Sequence, residues 1–185
     1  MRQPFAKFVF FSKVRFGSLA DATIGPQPAR SGQSKNLQIQ LQKVSMPRHD
    51  PFDVISSTVN LDDPAEHDNA QRFMASALAR VIECLPVIAQ SAALTADQYL
   101  SGAATADDVL AVRVELWNSI QGRDQSDERD VLRIRTVICA LHGMDAEAPC
   151  DKIEYFLMFW ERSGLSMDQL AAAIFDAYRV VYRAP

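Results

Sequence analysis

The 185-residue chain contains three cysteines and three histidines, the side chains that could ligate a soft metal ion or act as nucleophiles. Cys139 and His142 lie one turn apart near the end of a predicted helix, and a Cys-x-x-His spacing can place two ligands on one face. Cys150 lies eight residues beyond His142, but a structural zinc site needs four ligands and no fourth Cys or His is nearby. We therefore expect a core cysteine and a histidine at a helix C-terminus, where positive charge is favoured, and no metal site.

Acidic side chains could instead hold a hard cation or act as general acids and bases. The densest run, residues 122–130, fails the EF-hand pattern because Arg129 stands where the turn glycine belongs, counting from Asp124. Acids ahead of a helix favour its positive N-terminal end, so we interpret this run as a solvated loop. The chain has no His-Glu-x-x-His, Gly-x-Ser-x-Gly or Walker-type motif, so the sequence predicts no catalytic residue, metal or cofactor. Four further charged residues are interpreted as solvent-exposed side chains on one predicted helix. They are Asp107, Asp108, Arg113 and Glu115.

The elements that would position these residues are helices, because start and stop signals recur from Asp63 onward. Capping residues or a first-turn proline begin each segment, and a proline or glycine follows most of them. Short connections favour packing of successive helices as antiparallel neighbours. We therefore predict an all-α protein, a compact antiparallel bundle of five or six helices over residues 63–185, with residues 46–62 as a linker. The predicted helices run from Asp63 to Pro86, Thr95 to Gly102, Thr105 to Gly122, Ser126 to Gly143, Pro149 to Arg162 and Ser166 to Val181.

The net charge of the chain changes sign at Met46. Residues 1–45 carry seven Lys or Arg and one acid, a net +6, whereas residues 46–185 carry 12 basic and 22 acidic side chains, a net −10. A basic leader of this kind is typical of a transit peptide, or of an arm that contacts nucleic acid or anionic lipid. Alternatively it is translated upstream sequence with the start at Met46, since residues 14–21 resemble the repeat-derived leaders of bacterial reading frames with misassigned starts. Composition does not choose among these.

One alternating stretch of the leader predicts a strand. Leu37, Ile39 and Leu41 would share one side of an extended chain, which could pair with residues 8–14 as a hairpin. An isolated hairpin is only marginally stable in water, so we expect the leader to be poorly ordered or at most a marginal hairpin.

Composition also indicates the compartment of the protein and the partners that it excludes. No run of about 18 apolar residues exists, so we expect no membrane span. An odd number of widely spaced cysteines favours a reducing compartment, and we expect a cytoplasmic location. Arg133 and Arg135 could contact a phosphate, but the acidic part would repel a polyanion, so no nucleic-acid partner is expected for the helical domain.

Six consecutive large apolar residues, Tyr155 to Trp160, cannot all face one core. Tyr155 and Phe159 fall outside the main apolar stripe of the predicted helix and are therefore the candidate interface. The interpretation we favour is nevertheless a central helix buried on every side, and an interface through these two residues is the alternative. A candidate polar pocket would be formed by Arg113, Arg135 and His142.

The segment from Tyr99 to Trp117, with its caps around Gly102, resembles a helix–Gly–helix stretch of small helical bacterial proteins, among them immunity-type proteins of toxin systems. The resemblance implies an acidic protein that masks a toxin, and it assigns no functional residue. We therefore expect a non-enzymatic protein–protein interaction module whose partner is another protein or itself. The alternative is a small-ligand-binding protein or enzyme with a pocket between helices.

Overall fold

A computed structural model describes residues 50–142 and 149–183, with only the backbone described at Pro149. The basic leader, its predicted hairpin and the predicted helix end at Gly143 lie outside the described residues. The described part contains seven α-helices and no strand, which confirms the all-α class. The helices are α1 Pro51–Ser56, α2 His67–Ala79, α3 Val87–Leu100, α4 Ala106–Ser119, α5 Arg129–Ala140, α6 Pro149–Arg162 and α7 Met167–Tyr178, with short 3-10 turns at Pro64–Glu66 and Ile82–Cys84.

Several helix starts follow the predicted capping chemistry. Thr105 and Asp108 form a capping box at the start of α4, in which each side chain accepts a backbone N–H of the other residue. Ser166 accepts the Gln169 N–H at 3.4 Å and so caps α7. Because such caps involve residues only three positions apart, the local sequence is sufficient to specify them.

The region between residues 63 and 102 differs from the prediction. α2 already ends at Ala79, and α3 begins directly after Pro86 and passes through Thr95. Thr95 does not cap a new helix, because its hydroxyl donates to the Ser91 carbonyl at 3.1 Å within the running helix. Gly102 follows the end of α3 with φ 78°, a left-handed conformation that only glycine adopts at no cost.

The predicted linker is also corrected, because it contains α1. Asp50 accepts the Phe52 N–H at 2.8 Å and Pro51 occupies the first turn, a start signal of the same kind as those recognised further on. Ile55 and Leu61 are buried in the common core. Residues 51–61 are therefore part of the folded domain.

The core is organised around α2, which packs against α3, α5, α6 and α7. The Phe73 ring of α2 meets Phe156 of α6 edge-on at 5.8 Å between centroids and Tyr178 of α7 at 5.5 Å. α5 packs most extensively against α6, and α3 against α4. Neighbours in space are thus not always neighbours in sequence, since α2 and α7 are far apart along the chain. Among the described residues, every helix is too short or too polar to cross a bilayer.

Candidate functional site

Two of the three predicted pocket residues come together where α4 meets the end of α5. Nη1 of Arg113 lies 3.4 Å from the Leu141 carbonyl oxygen and 3.4 Å from Nδ1 of His142. Burial, and then the nearby Arg113 and Lys152 charges, lower the pKa of His142 to about 4. The imidazole is therefore neutral at pH 7, and its Nδ1 can accept the hydrogen bond from Arg113.

The third predicted pocket residue, Arg135, is placed elsewhere. Its guanidinium carbon lies 4.0 Å from the centroid of the Phe159 ring, across the α5–α6 contact. Burial, more than any neighbouring charge, lowers the pKa of this side chain below its usual range. Arg135 therefore covers an aromatic side chain, and the pair of Arg113 and His142 forms without it.

The predicted interface residues have different environments. Phe159 is only 4% exposed, as the favoured interpretation of a buried helix predicts, so it does not lie on an exposed interface. Tyr155 is 37% exposed, and its ring stacks on Phe159 with 6.1 Å between centroids. The helix carrying them is thus close to the favoured interpretation of a helix buried on every side, with Tyr155 at its edge. The sequence does not identify what covers the Phe159 ring, because the covering side chain is an arginine from another helix.

Two of the three cysteines, Cys139 and Cys150, offer little nucleophilic or metal-binding capacity. Burial raises the pKa of the Cys139 thiol to about 12. The pKa of Cys150 is also raised, by burial and then by the acidic side chains of Asp62, Asp151 and Glu154. Both thiols are therefore protonated at neutral pH, the less reactive state. In residues 50–142 and 149–183, no three His, Cys, Asp or Glu side chains are arranged to hold a metal ion.

A groove of about 370 Å³ lies between α2 and the end of α3. Small side chains on α2 leave this space open, and an arginine and an aspartate bring opposite charges to its walls. None of the residues predicted to form a polar pocket contributes to it. The small residues Ala75, Ser76 and Ala79 of α2 are a sequence signal that could have indicated the groove. The groove is lined by Arg72, Ala75, Ser76, Ala79, Asp97, Leu100 and Ser101.

α4 carries apolar residues on two sides. One stripe is directed into the core, where Val109 and Leu116 are buried. On the other side, Leu110 and Val114 are 47% and 49% exposed and lie one turn apart. Sequence analysis missed this second stripe, although it consists of the apolar residues that the first stripe leaves over. We define the outer face of α4 as Asp107, Asp108, Leu110, Ala111, Val114 and Glu115, all exposed.

Comparison with known proteins gives no family assignment. The placement of the chain's own side chains is therefore the basis on which its function is inferred. No protein-family model matches the chain, and no curated protein or solved structure matches it significantly.

Proposed function

We propose that the helical domain is a non-enzymatic protein–protein interaction module that binds its partner through the outer face of α4. The observation that carries this proposal is the pair Leu110 and Val114, about half exposed at a four-residue spacing on one helix. Single exposed apolar residues are ordinary, but a stripe along one helix face is the arrangement used in helix-mediated recognition. Burying the exposed part of each side chain would contribute on the order of 1 kcal/mol.

The acidic charge of the domain supports a basic protein as the partner. The described residues contain 20 acidic and 11 basic side chains, a net −9. Complementary charge accelerates encounter between proteins and disfavours incorrect partners. An immunity-type role, in which the domain masks a basic toxin in the cytoplasm, is the specific form of this proposal. The segment that resembles immunity-type proteins, Tyr99 to Trp117, contains the whole outer face of α4.

Site-specific photo-crosslinking tests this function. A photoreactive residue at position 110 is expected to form a discrete adduct with one protein in the cells that produce this chain. The matched control is position 94, because Leu94 of α3 is 52% exposed and equally apolar. The captured protein is then purified and mixed with the full chain, and Leu110→Ser should weaken the complex while Leu94→Ser should not. Equal adducts at both positions, or none at 110, would contradict the proposal.

Small-ligand binding is a second candidate function, supported by the groove between α2 and α3. Its volume of about 370 Å³ is in the range of small-molecule sites. Arg72 could pair with a carboxylate and Asp97 with an amine, so the groove would suit a small zwitterion such as an amino acid. Titration of the protein with amino acids, followed by NMR, should shift signals from the groove, and Arg72→Ala should abolish those shifts. Unchanged spectra would exclude this candidate for the probes used.

A further inference from the structure

The outer face of α4 carries only negative charge. The helix has four charged side chains, and its single cation, Arg113, points to the Leu141 carbonyl and His142 at the end of α5. Asp107 and Glu115 are exposed, and neither lies within ion-pair distance of a cation in the described part of the chain. Asp108 accepts hydrogen bonds from the backbone and hydroxyl of Thr105, which lower its pKa and keep it anionic. Three exposed acids therefore share the outer face of α4 with the apolar stripe.

The apolar stripe has the spacing of a helix-docking surface. Leu110 and Val114 are followed three residues later by Trp117, which is half-buried and packs against the core. Residues at i, i+4 and i+7 lie along one side of a helix, where they can meet the ridges of a second helix. α3 and α5 pack on α4, and the side chains that α4 buries, Val109 and Leu116, lie on a different side of the helix from Leu110 and Val114.

A second copy of the same face is a poor match for this surface. Two outer faces brought together would place Asp107 and Glu115 of one copy against the same acids of the other. Like charges placed together across an interface cost several kcal/mol. The complementary surface must combine apolar side chains with cations.

We infer that the segment which docks on the outer face of α4 is a cationic amphipathic helix of a partner protein, with apolar residues against Leu110 and Val114 and Lys or Arg beside Asp107 and Glu115. This inference rests on the proposed function and specifies the chemistry of the partner. The apolar stripe supplies most of the contact area, and the acids set the sign of the partner's charge.

Two synthetic peptides of equal length test the inference with the full chain. One is an amphipathic helix of Leu and Lys, and the other has Glu in place of every Lys. Fluorescence anisotropy is expected to show binding of the Lys peptide and at least about tenfold weaker binding of the Glu peptide. Affinity for the Lys peptide should decrease with added salt because exposed charges are screened.

Matched variants locate the binding surface. Leu110→Ser with Val114→Ser should weaken binding of the Lys peptide about tenfold or more, whereas Leu94→Ser should leave it unchanged. Asp107→Lys with Glu115→Lys should also weaken it. Glu83→Lys with Asp97→Lys makes the same change in net charge at exposed positions outside α4 and should have a smaller effect. Circular dichroism and thermal melting verify that each variant is folded.

The outcomes separate the inference from the proposed function. Equal losses from the two charge-reversal pairs would show non-specific attraction to the acidic domain and overturn the inference. So would equal affinity for the Lys and Glu peptides, or a crosslinked partner whose binding survives charge reversal of α4. A crosslink at position 110 would still support the interaction function in those cases. Its absence would remove the proposed function itself.

Discussion

The guanidinium carbon of Arg135 lies 4.0 Å from the centroid of the Phe159 ring, so that a cation of α5 covers an aromatic side chain of α6. Contacts of this type contribute about 0.5–2 kcal/mol, more where the pair is shielded from water. The arginine stem also covers apolar surface. This contact explains how the run from Tyr155 to Trp160 can place an aromatic side chain outside the main stripe of α6 and still bury it.

Phe159→Ser is expected to destabilise the domain. Removing a buried aromatic side chain typically lowers the free energy of unfolding by about 3–5 kcal/mol, and here the Arg135 guanidinium also loses its partner. Urea denaturation followed by circular dichroism measures the change. Tyr155→Ser is the matched control in the same helix, and because Tyr155 is 37% exposed we expect a loss of about 1 kcal/mol. Similar losses for the two variants would contradict the burial of Phe159.

The features that the sequence predicted are those determined by residues close along the chain. Thr105 and Ser166 are predictable as caps, because a Thr or Ser side chain at a helix start can accept the backbone N–H three residues later. Both side chains do so in the structure. The same rule failed at Thr95, because the helix had already begun after Pro86 and the threonine hydroxyl found a carbonyl inside it. Capping residues thus indicate where a helix can begin, and the preceding residues decide whether a helix begins there.

The site features that the sequence missed depend on contacts between distant elements. One such feature is the contact of Arg135 with the Phe159 ring, and another is the neutral state of His142, which depends on burial beside Arg113. Neither pairing can be read from spacing, because each requires knowing which helices pack together. The exposed stripe of Leu110 and Val114 is an intermediate case. Its two residues are the apolar positions of α4 that remain once the core-facing positions have been assigned. Whether they are exposed depends on which sides of α4 are covered by other helices.

Tyr178→Phe is expected to stabilise the domain. The Tyr178 hydroxyl is buried and has no hydrogen-bond partner among the described residues, while its ring packs on Phe73. Replacing it with Phe keeps the ring contact and removes an unsatisfied polar group, which should raise the free energy of unfolding by on the order of 1 kcal/mol. Chemical denaturation measures the change. Tyr182→Phe is the matched control, because that side chain is similarly buried but its hydroxyl is not an unpaired buried group.

Two results would contradict the buried, unpaired state of the Tyr178 hydroxyl. One is a loss of stability in Tyr178→Phe, since that would indicate a hydrogen bond broken by the substitution. The other is ionisation of every tyrosine in its usual range, because burial and then the Glu66 charge raise the pKa of Tyr178. Ultraviolet absorbance during alkaline titration of the folded protein measures this directly.

His142 is expected to make stability depend on pH. The unfolded chain protonates this histidine near pH 6.5, whereas burial and the Arg113 and Lys152 charges lower its pKa in the folded protein to about 4. Because the unfolded state takes up the proton first, this contribution is constant above pH 6.5 and is lost progressively as the pH falls to 4. Denaturation at a series of pH values measures the decline, and NMR titration of the His142 imidazole measures its pKa.

A histidine substitution identifies the source of that decline. His142→Gln cannot take up the proton and should flatten the dependence between pH 6.5 and 4. His67→Gln replaces a histidine of α2, leaves His142 in place and should retain the dependence. An imidazole of His142 that titrates near pH 6.5 in the folded protein would contradict the buried environment described for the pair of Arg113 and His142.

Arg179→Gly is expected to stabilise the end of α7. Arg179 has φ 58°, the one non-glycine residue with a left-handed backbone among the described residues, and its N–H donates to the Phe175 carbonyl. The left-handed conformation costs an L-residue about 1–2 kcal/mol, and glycine is the usual residue at this position of a helix end. The gain is reduced by the greater freedom of glycine in the unfolded chain and by loss of the cation over the Phe175 ring at 5.9 Å. We therefore expect a net increase of about 0.5–1 kcal/mol in thermal or urea denaturation. Arg179→Ala is the matched control, because it removes the same cation but retains the backbone strain. It should give no increase in stability. A gain of equal size in both variants would show that backbone strain at residue 179 does not cause the gain.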